Sequence, residues 1–367
     1  MEHAPADTAG TTGIGRRRWR SQLLPDGSGP ADPADVVRWL GAVQAQDHGQ
    51  SLWAVASRMR EPSTARVAAA ATDGRILRTW PMRGTLHWVA AEDAHWMVAL
   101  SADRMATTAA TRRRQLGITD DELARAGEVL VAALTDGDVW DRPRVMALWT
   151  DAGIPVDGQR GYHLLWNLAL QRVVAIGPMA GRQQTVVDLD SHVPPERRAT
   201  PADPGAELAR RYLQSHAPCT DRDFAWWCGS TLTEARRRLT AAGAVPDPTG
   251  DRLLTAPDGS AAAAGASGVA LLAGFDEFLL GYQDRSAVLP TAFADRIVPG
   301  ANGIFAPCVV VDGVVAGTWR RTLTRGGVTV TVVPFPGRAL DPDELTRAAR
   351  RYAAAIGVSE VAVAVDG

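Results

Sequence analysis

The strongest constraint on this fold is a change of hydrophobic period that recurs three times. Runs with apolar residues at helical spacing give way to pairs of short β-rich segments. In the first run, Val36, Val37, Leu40 and Val43 predict a helix over 33–43, with Asp32 placed to cap it and Pro33 in its first turn. A second helix is expected over 63–71. Strands follow over 76–80 and 85–89, broken by Pro81-Met82-Arg83-Gly84, and then a long helix over 91–111. The second run predicts helices over 120–134, 142–151 and 162–171, then strands over 173–176 and 185–189. The third predicts helices over 205–215, 221–228 and 231–242, with Thr220 capping the middle one and Ser230 or Thr231 the last, and a weaker strand pair near 252–255.

Helices followed by a two-stranded hairpin describe a winged helix. The expected fold is therefore α+β, with three tandem winged-helix motifs and a β-rich C-terminal region. That last region holds a meander over 308–312, 313–319 and 328–333 that turns at Asp312-Gly313, a helix over 342–355 and a strand over 360–365. The expected organisation is a disordered tail over 1–15 and winged-helix units over 16–111 and 112–190. A linker over 191–204, a third unit over 205–268 and the β-rich region over 269–367 complete it. Within the third unit, the Ala/Gly/Ser-rich stretch 258–268 reads as a mobile loop.

Composition narrows the function. With 46% apolar and 22% charged residues the chain can bury a core, yet no apolar run has the length a membrane span needs. The N-terminus lacks the apolar centre of a secretory signal, so a cytoplasmic location is expected. Cys219, Cys228 and Cys308 stand at no metal-ligand spacing and read as buried thiols. A P-loop, a GxGxxG after a strand, a GxSxG elbow and an HExxH are all missing, so neither a cofactor nor a metal is expected. A net charge of −2 argues against indiscriminate coating of nucleic acid, though not against a local basic groove. All 39 basic residues are arginine.

Three segments carry candidate chemistry. Val43-Gln44-Ala45-Gln46-Asp47-His48-Gly49-Gln50 places three amides, a carboxylate and an imidazole behind an apolar helix. If the helix ends near Val43, Gln44 and Gln46 can face one cavity, because residues i and i+2 share a side of an extended chain. A polar helix end whose amides cap free carbonyls is the commoner use of such residues. The hairpin around Arg83-Gly84 gathers Arg78, Arg83, Thr85 and His87, which could contact a phosphate backbone or serve the core. Phe275-Asp276-Glu277-Phe278 has two adjacent acids that point apart, so Arg285 is the expected partner of one of them. The arginine runs 16–18, 112–114 and 236–238 suit phosphate contact or a solvated helix face. Arg236 and Arg237 lie where a winged helix carries its recognition helix.

Taken together, these segments resemble the AlkZ/YcaQ-type winged-helix DNA glycosylases, from about Arg16 to the C-terminus. The marks are the arginine-rich start, Gln44-Ala45-Gln46, Met82-Arg83-Gly84-Thr85-Leu86-His87, Asp223-Phe224-Ala225-Trp226-Trp227-Cys228-Gly229, Phe275-Asp276-Glu277-Phe278 and Gly317-Thr318-Trp319-Arg320-Arg321. The resemblance implies winged helices in a C-shape around duplex DNA. It also implies a catalytic Gln44 and Gln46 and a monomer that excises alkylated purines, with members that protect antibiotic producers; Asp47, next in the chain, is expected to assist the pair electrostatically and to rank below it. Two rival readings are a winged-helix regulator without catalysis and a drug-sequestering protein that uses some of its 12 tryptophans.

Overall fold

The computed structural model describes residues 8–24, 27–134, 138–250, 252–258 and 267–366. It is α+β, as expected. The chain forms two compact units, one built from Met1–Val67 with Ala206–Gly367 and the other from Ala68–Gly205. This division cuts the first expected winged-helix segment, 16–111, in two.

The first unit opens with α1 (Thr8–Ser21). A disordered tail is expected over 1–15, and the helix corrects this from Thr8 onward. Close packing holds α1: a Cβ at Gly15 would lie 2.4 Å from the Gly313 carbonyl oxygen, so glycine alone permits the approach. Further along, Trp19 enters the core beside Leu272, Phe278 and Val310. Residues 1–7 of the expected tail lie outside the described residues, as do 259–266 of the expected loop. Next come α2 (Pro33–Leu40), capped by Asp32, the short strand β1 (Val43–Gln44), α3 (His48–Ala56) and α4 (Thr64–Thr72), along which the chain passes into the second unit.

In the second unit, β2 (Ile76–Met82) and β3 (Thr85–Ala90) form a hairpin. Arg83 and Gly84 both take positive φ there, +51° and +70°, as a two-residue hairpin turn requires. Pro81 sits inside β2 instead of ending it, because the register breaks between Thr79 and Met82 where its missing N–H falls. The long helix expected over 91–111 is two helices, α5 (Ala94–Ala99) and α6 (Ala102–Gln115). They part at Ser101, whose hydroxyl donates to the Pro81 carbonyl. The unit continues through α7 (Asp120–Ala133), β4 (Trp140–Asp141), α8 (Arg142–Asp151), α9 (Arg160–Leu170), β5 (Val174–Ala180), β6 (Gln183–Asp188) and α10 (Leu189–His192). Its strands run in the order β3-β2-β5-β6-β4. Its core packs Leu130, Trp149, Leu164, Leu168 and Val186 with Trp80.

The chain returns to the first unit in α11 (Pro204–His216), α12 (Asp221–Cys228) and α13 (Leu232–Ala241). Thr220 and Asp223 form a reciprocal capping box on α12, and Thr231 caps α13. The strand pair β7 (Val245–Pro246) and β8 (Leu254–Thr255) follows, then β9 (Val269–Leu272), α14 (Glu277–Leu280) and α15 (Ala294–Ile297). The chain ends with β10 (Cys308–Val311), β11 (Val314–Thr324), β12 (Gly327–Pro334), α16 (Pro342–Ala355) and β13 (Glu360–Val365). The C-terminal sheet has the order β13-β12-β11-β10-β9, with β12 and β13 parallel across the α16 connection. Tyr352 of α16 packs edge-on against Trp53 and Trp319. Among the described residues no helix is long and apolar enough to cross a membrane.

Candidate active site

The site begins where α2 stops. Gly41 takes φ +79° and ψ −56° and donates its N–H to the Arg38 carbonyl. A Cβ there would meet the Trp227 ring at 3.4 Å. Beyond it the backbone is extended through Val43 and Gln44, so the glutamines do not cap a helix. Their side chains meet instead: Gln44 Nε2 donates to Gln46 Oε1 at 3.1 Å. Gln44 is 8% exposed, whereas Gln46 is open to solvent, so the pair spans the boundary between core and surface. Gln44 Oε1 and Gln46 Nε2 take no other hydrogen bond among the described residues.

Asp47 caps α3, accepting the Gln50 N–H at 3.0 Å. This helix is hard to see in the sequence because its first turn, His48-Gly49-Gln50, is polar. The readable signal was Asp47 three residues before Gln50, the spacing of a capping box. Gln50 then ties the segment to the C-terminal half, accepting the Gly274 N–H at 3.0 Å.

Behind the glutamines lies a buried polar layer. Glu277 is fully buried. Its Oε1 accepts the Gln44 main-chain N–H at 3.3 Å and its Oε2 accepts the Trp227 indole N–H at 3.0 Å. His216 Nε2 stands 3.7 Å from the same Oε2, and burial holds this imidazole below its ordinary pKa against the pull of Glu277. Asp276 receives both Nη atoms of Arg58, at 2.7 and 3.0 Å. The expected acid partner, Arg285, donates instead to the Leu279 carbonyl and lies over Trp226 and Phe305. Arg58 precedes Asp276 by 218 residues, a pairing that local spacing could not disclose.

The hairpin residues go largely inward. Arg78 is fully buried, bonded to Met179 Sδ at 3.1 Å and the Gly177 carbonyl at 3.5 Å, and desolvation lowers its pKa to about 10. His87 is also buried, its Nδ1 2.8 Å from the Thr85 carbonyl oxygen. Neither presents a donor to a phosphate, which corrects their expected role as DNA contacts. Alternation along β2 and β3 explains the error, since both faces of the hairpin are covered. Thr85 and Arg83 are half-buried, with Arg83 in the turn itself. On α13, Arg236 and Arg237 are exposed and pair with Asp221 and Glu234 at 2.6 and 2.9 Å. Arg236 lines an open groove of about 970 Å³ together with Arg222, Arg252, Asp221 and Asp284. In the first arginine run, Arg17 pairs with buried Asp247, and Arg18 donates to the Pro218 carbonyl beneath Tyr282, so both are structural. The 112–114 run sits in the last turn of α6, where Arg112 binds Gln159 and Arg113 binds Asp120.

Known proteins resemble this chain in sequence and in fold. The chain is 26% identical over 365 residues to an interstrand DNA cross-link repair glycosylase of Streptomyces sahachiroi, an alignment that covers 95% of this chain and 97% of that protein. The solved structure of the DNA glycosylase AlkZ from the same organism superposes with a TM-score of 0.81 at 24% identity, over 97% of this chain and 99% of that one, and so shares the fold. The family described as DNA glycosylase AlkZ-like matches residues 37–355, a span that includes both glutamines and the buried layer behind them. The chain therefore belongs to the AlkZ-like DNA glycosylases, enzymes that hydrolyse N-glycosyl bonds.

Proposed function

We propose that this enzyme excises alkylated purines, N7-alkylguanine and N3-alkyladenine with bulky adducts among them, from duplex DNA, with Gln44 and Gln46 as its catalytic residues. The observation that carries this reading is the contact between the two amides where a buried, extended segment reaches the surface. Amides are weak acids and bases, and the substrate makes that sufficient. Alkylation at N7 or N3 leaves the base cationic, so the C1′–N bond breaks with its electron pair going to the departing base and no proton donor is needed. What remains is a developing oxocarbenium ion and a water that must reach C1′.

With Gln46 Oε1 receiving the Gln44 amide, Gln44 Oε1 is the acceptor that orients this water, and both carbonyl dipoles lower the energy of the positive sugar. Water oxygen bonds to C1′ and its proton leaves to solvent. The product is a free base and an abasic site, since the chain has no lysine for a Schiff-base step. Asp47 adds a negative charge nearby while capping α3. Arg83 in the hairpin turn and exposed Arg236 and Arg237 supply phosphate contacts.

The similarity to a cross-link repair glycosylase extends the proposed substrates to interstrand cross-links. In an organism that makes a DNA-alkylating antibiotic, the same chemistry serves self-protection. The test is a labelled duplex carrying N7-methylguanine, incubated with enzyme, treated with mild alkali and resolved on a denaturing gel. Wild type should cleave, and Gln44→Ala and Gln46→Ala should each lose about 10²-fold or more in rate. Full activity in both variants would move the site elsewhere.

A further inference from the structure

We propose that Glu277 is a positioning residue for this chemistry: its buried carboxylate fixes the main chain at Gln44 and so keeps the Gln44 amide against Gln46. The inference rests on the assignment of the two glutamines above and concerns an acid that the mechanism does not otherwise use.

Glu277 cannot touch substrate. It is fully buried and lies behind Gln44, reaching that residue through the backbone N–H and not the side chain. Its own position is set on several sides. It is the first residue of α14, whose N-cap is Asp276, and Asp276 is gripped by Arg58. Gln22 spans the two, accepting from Arg58 Nη2 at 2.9 Å and donating to the Glu277 carbonyl at 3.2 Å. Arg58 itself lies just past α3, the helix that Asp47 begins. The Gln44–Asp47 stretch is thus anchored at its start by Glu277 and beyond its end by Arg58, and both anchors meet at the Asp276-Glu277 pair.

The side-chain chemistry explains a carboxylate at this position. Ser215 donates its one hydroxyl hydrogen to the Arg211 carbonyl, so Ser215 Oγ must accept from His216 Nδ1–H. A neutral His216 then has no hydrogen on Nε2, while the Gln44 N–H and the Trp227 indole N–H each donate to Glu277, one to each oxygen. An acceptor-only group satisfies both. A glutamine there must turn its NH₂ toward one of them and leave that donor facing another donor. The same Trp227 ring supports Gly41, so Trp227 and Glu277 together brace the chain from the end of α2 to Gln44.

The test is single-turnover excision of N7-methylguanine by the full-length enzyme, with duplex affinity measured in parallel. The variants are Glu277→Gln, Glu277→Leu, Gln44→Ala and the Glu277→Gln/Gln44→Ala double. Glu277→Gln should slow the chemical step about tenfold, the equivalent of one misplaced hydrogen bond, and leave DNA affinity within about twofold. Because Glu277 acts through Gln44, the double variant should be no slower than Gln44→Ala alone. Losses that multiply would overturn the proposal, as would a Glu277→Gln enzyme with the wild-type rate. If Glu277→Leu fails to fold, Glu277→Gln alone still decides the matter. A Gln44→Ala enzyme of full activity would instead defeat the site assignment itself, an outcome separate from either failure of Glu277.

Discussion

Asp247 has a carboxylate held by Arg17 Nη1 at 2.8 Å and by Thr249. Burial acts to raise its pKa, but the Arg17 and Thr249 hydrogen bonds win and bring it down to about 2. An unfolded aspartate titrates near 3.9. A depressed folded value adds stability that is fully present above about pH 4 and is lost as pH falls toward 2. Asp247→Asn should therefore flatten the acid limb of the stability curve, and urea melts between pH 5 and 2.5 would show it; wild type and variant losing stability in parallel would refute the assignment. Arg78 presents the opposite case, a buried cation with no carboxylate partner among the described residues. A buried charge without an ionic partner carries a desolvation cost that an apolar side chain of similar length avoids. Arg78→Met should keep or raise the melting temperature and leave duplex affinity within about twofold, measured by calorimetry and fluorescence anisotropy. A large loss of affinity at unchanged stability would return Arg78 to the DNA surface.

The point at which an element stops sets the path of the next segment, and α2 is the instance that matters most. The apolar spacing of Val36, Val37 and Leu40 made the helix legible, but it also carried the predicted end on to 43, three residues past the observed Leu40. Val43 continues the apolar pattern without belonging to the helix, because Gly41 has already turned the chain over Trp227. A non-glycine residue at φ +79° and ψ −56° is strained. Gly41→Ala should cost about 1–3 kcal/mol in a urea melt and lower the single-turnover rate more than it lowers DNA affinity, since residues 42–46 are re-aimed. Equal stability and rate would mean that the turn does not set the site. Elements with strong local signals were read closely: α8 at 142–151, α12 behind its Thr220 cap, α16 at 342–355 and β13 at 360–365. Those missed lacked such signals. The strand β9 is only four residues long and half of it is buried, and α1 owes its place to contacts with residues some 200 to 300 positions away. The same holds for the site: the paired glutamines could be read from two positions, whereas Glu277 could not be tied to Gln44 without the fold.

At the scale of the molecule, chain order and spatial order differ. The second unit is continuous, Ala68–Gly205, whereas the first is assembled from both ends of the chain. Periodicity along the sequence displays local helix-and-hairpin patterns and cannot show that residues 1–67 await residues 206–367. This has a consequence for folding. The second unit has its own core around Trp149, Leu164 and Leu168 and its own five strands, and α4, which leads into it, starts at Thr64 with Ser63 accepting the Arg66 N–H at 3.2 Å. Expressed alone as residues 63–205, it should give a cooperative thermal transition and near-ultraviolet dichroism from buried Trp149. The complementary piece, residues 1–205, keeps Gln44 and Gln46 but lacks Trp227, Glu277 and the C-terminal sheet. It should show the same transition from its second unit, no additional one, and no excision of N7-methylguanine. Excision by that piece would mean that the glutamines work without the buried layer behind them. A fragment 63–205 that does not fold would mean that the second unit is stabilised from outside, despite its continuous chain.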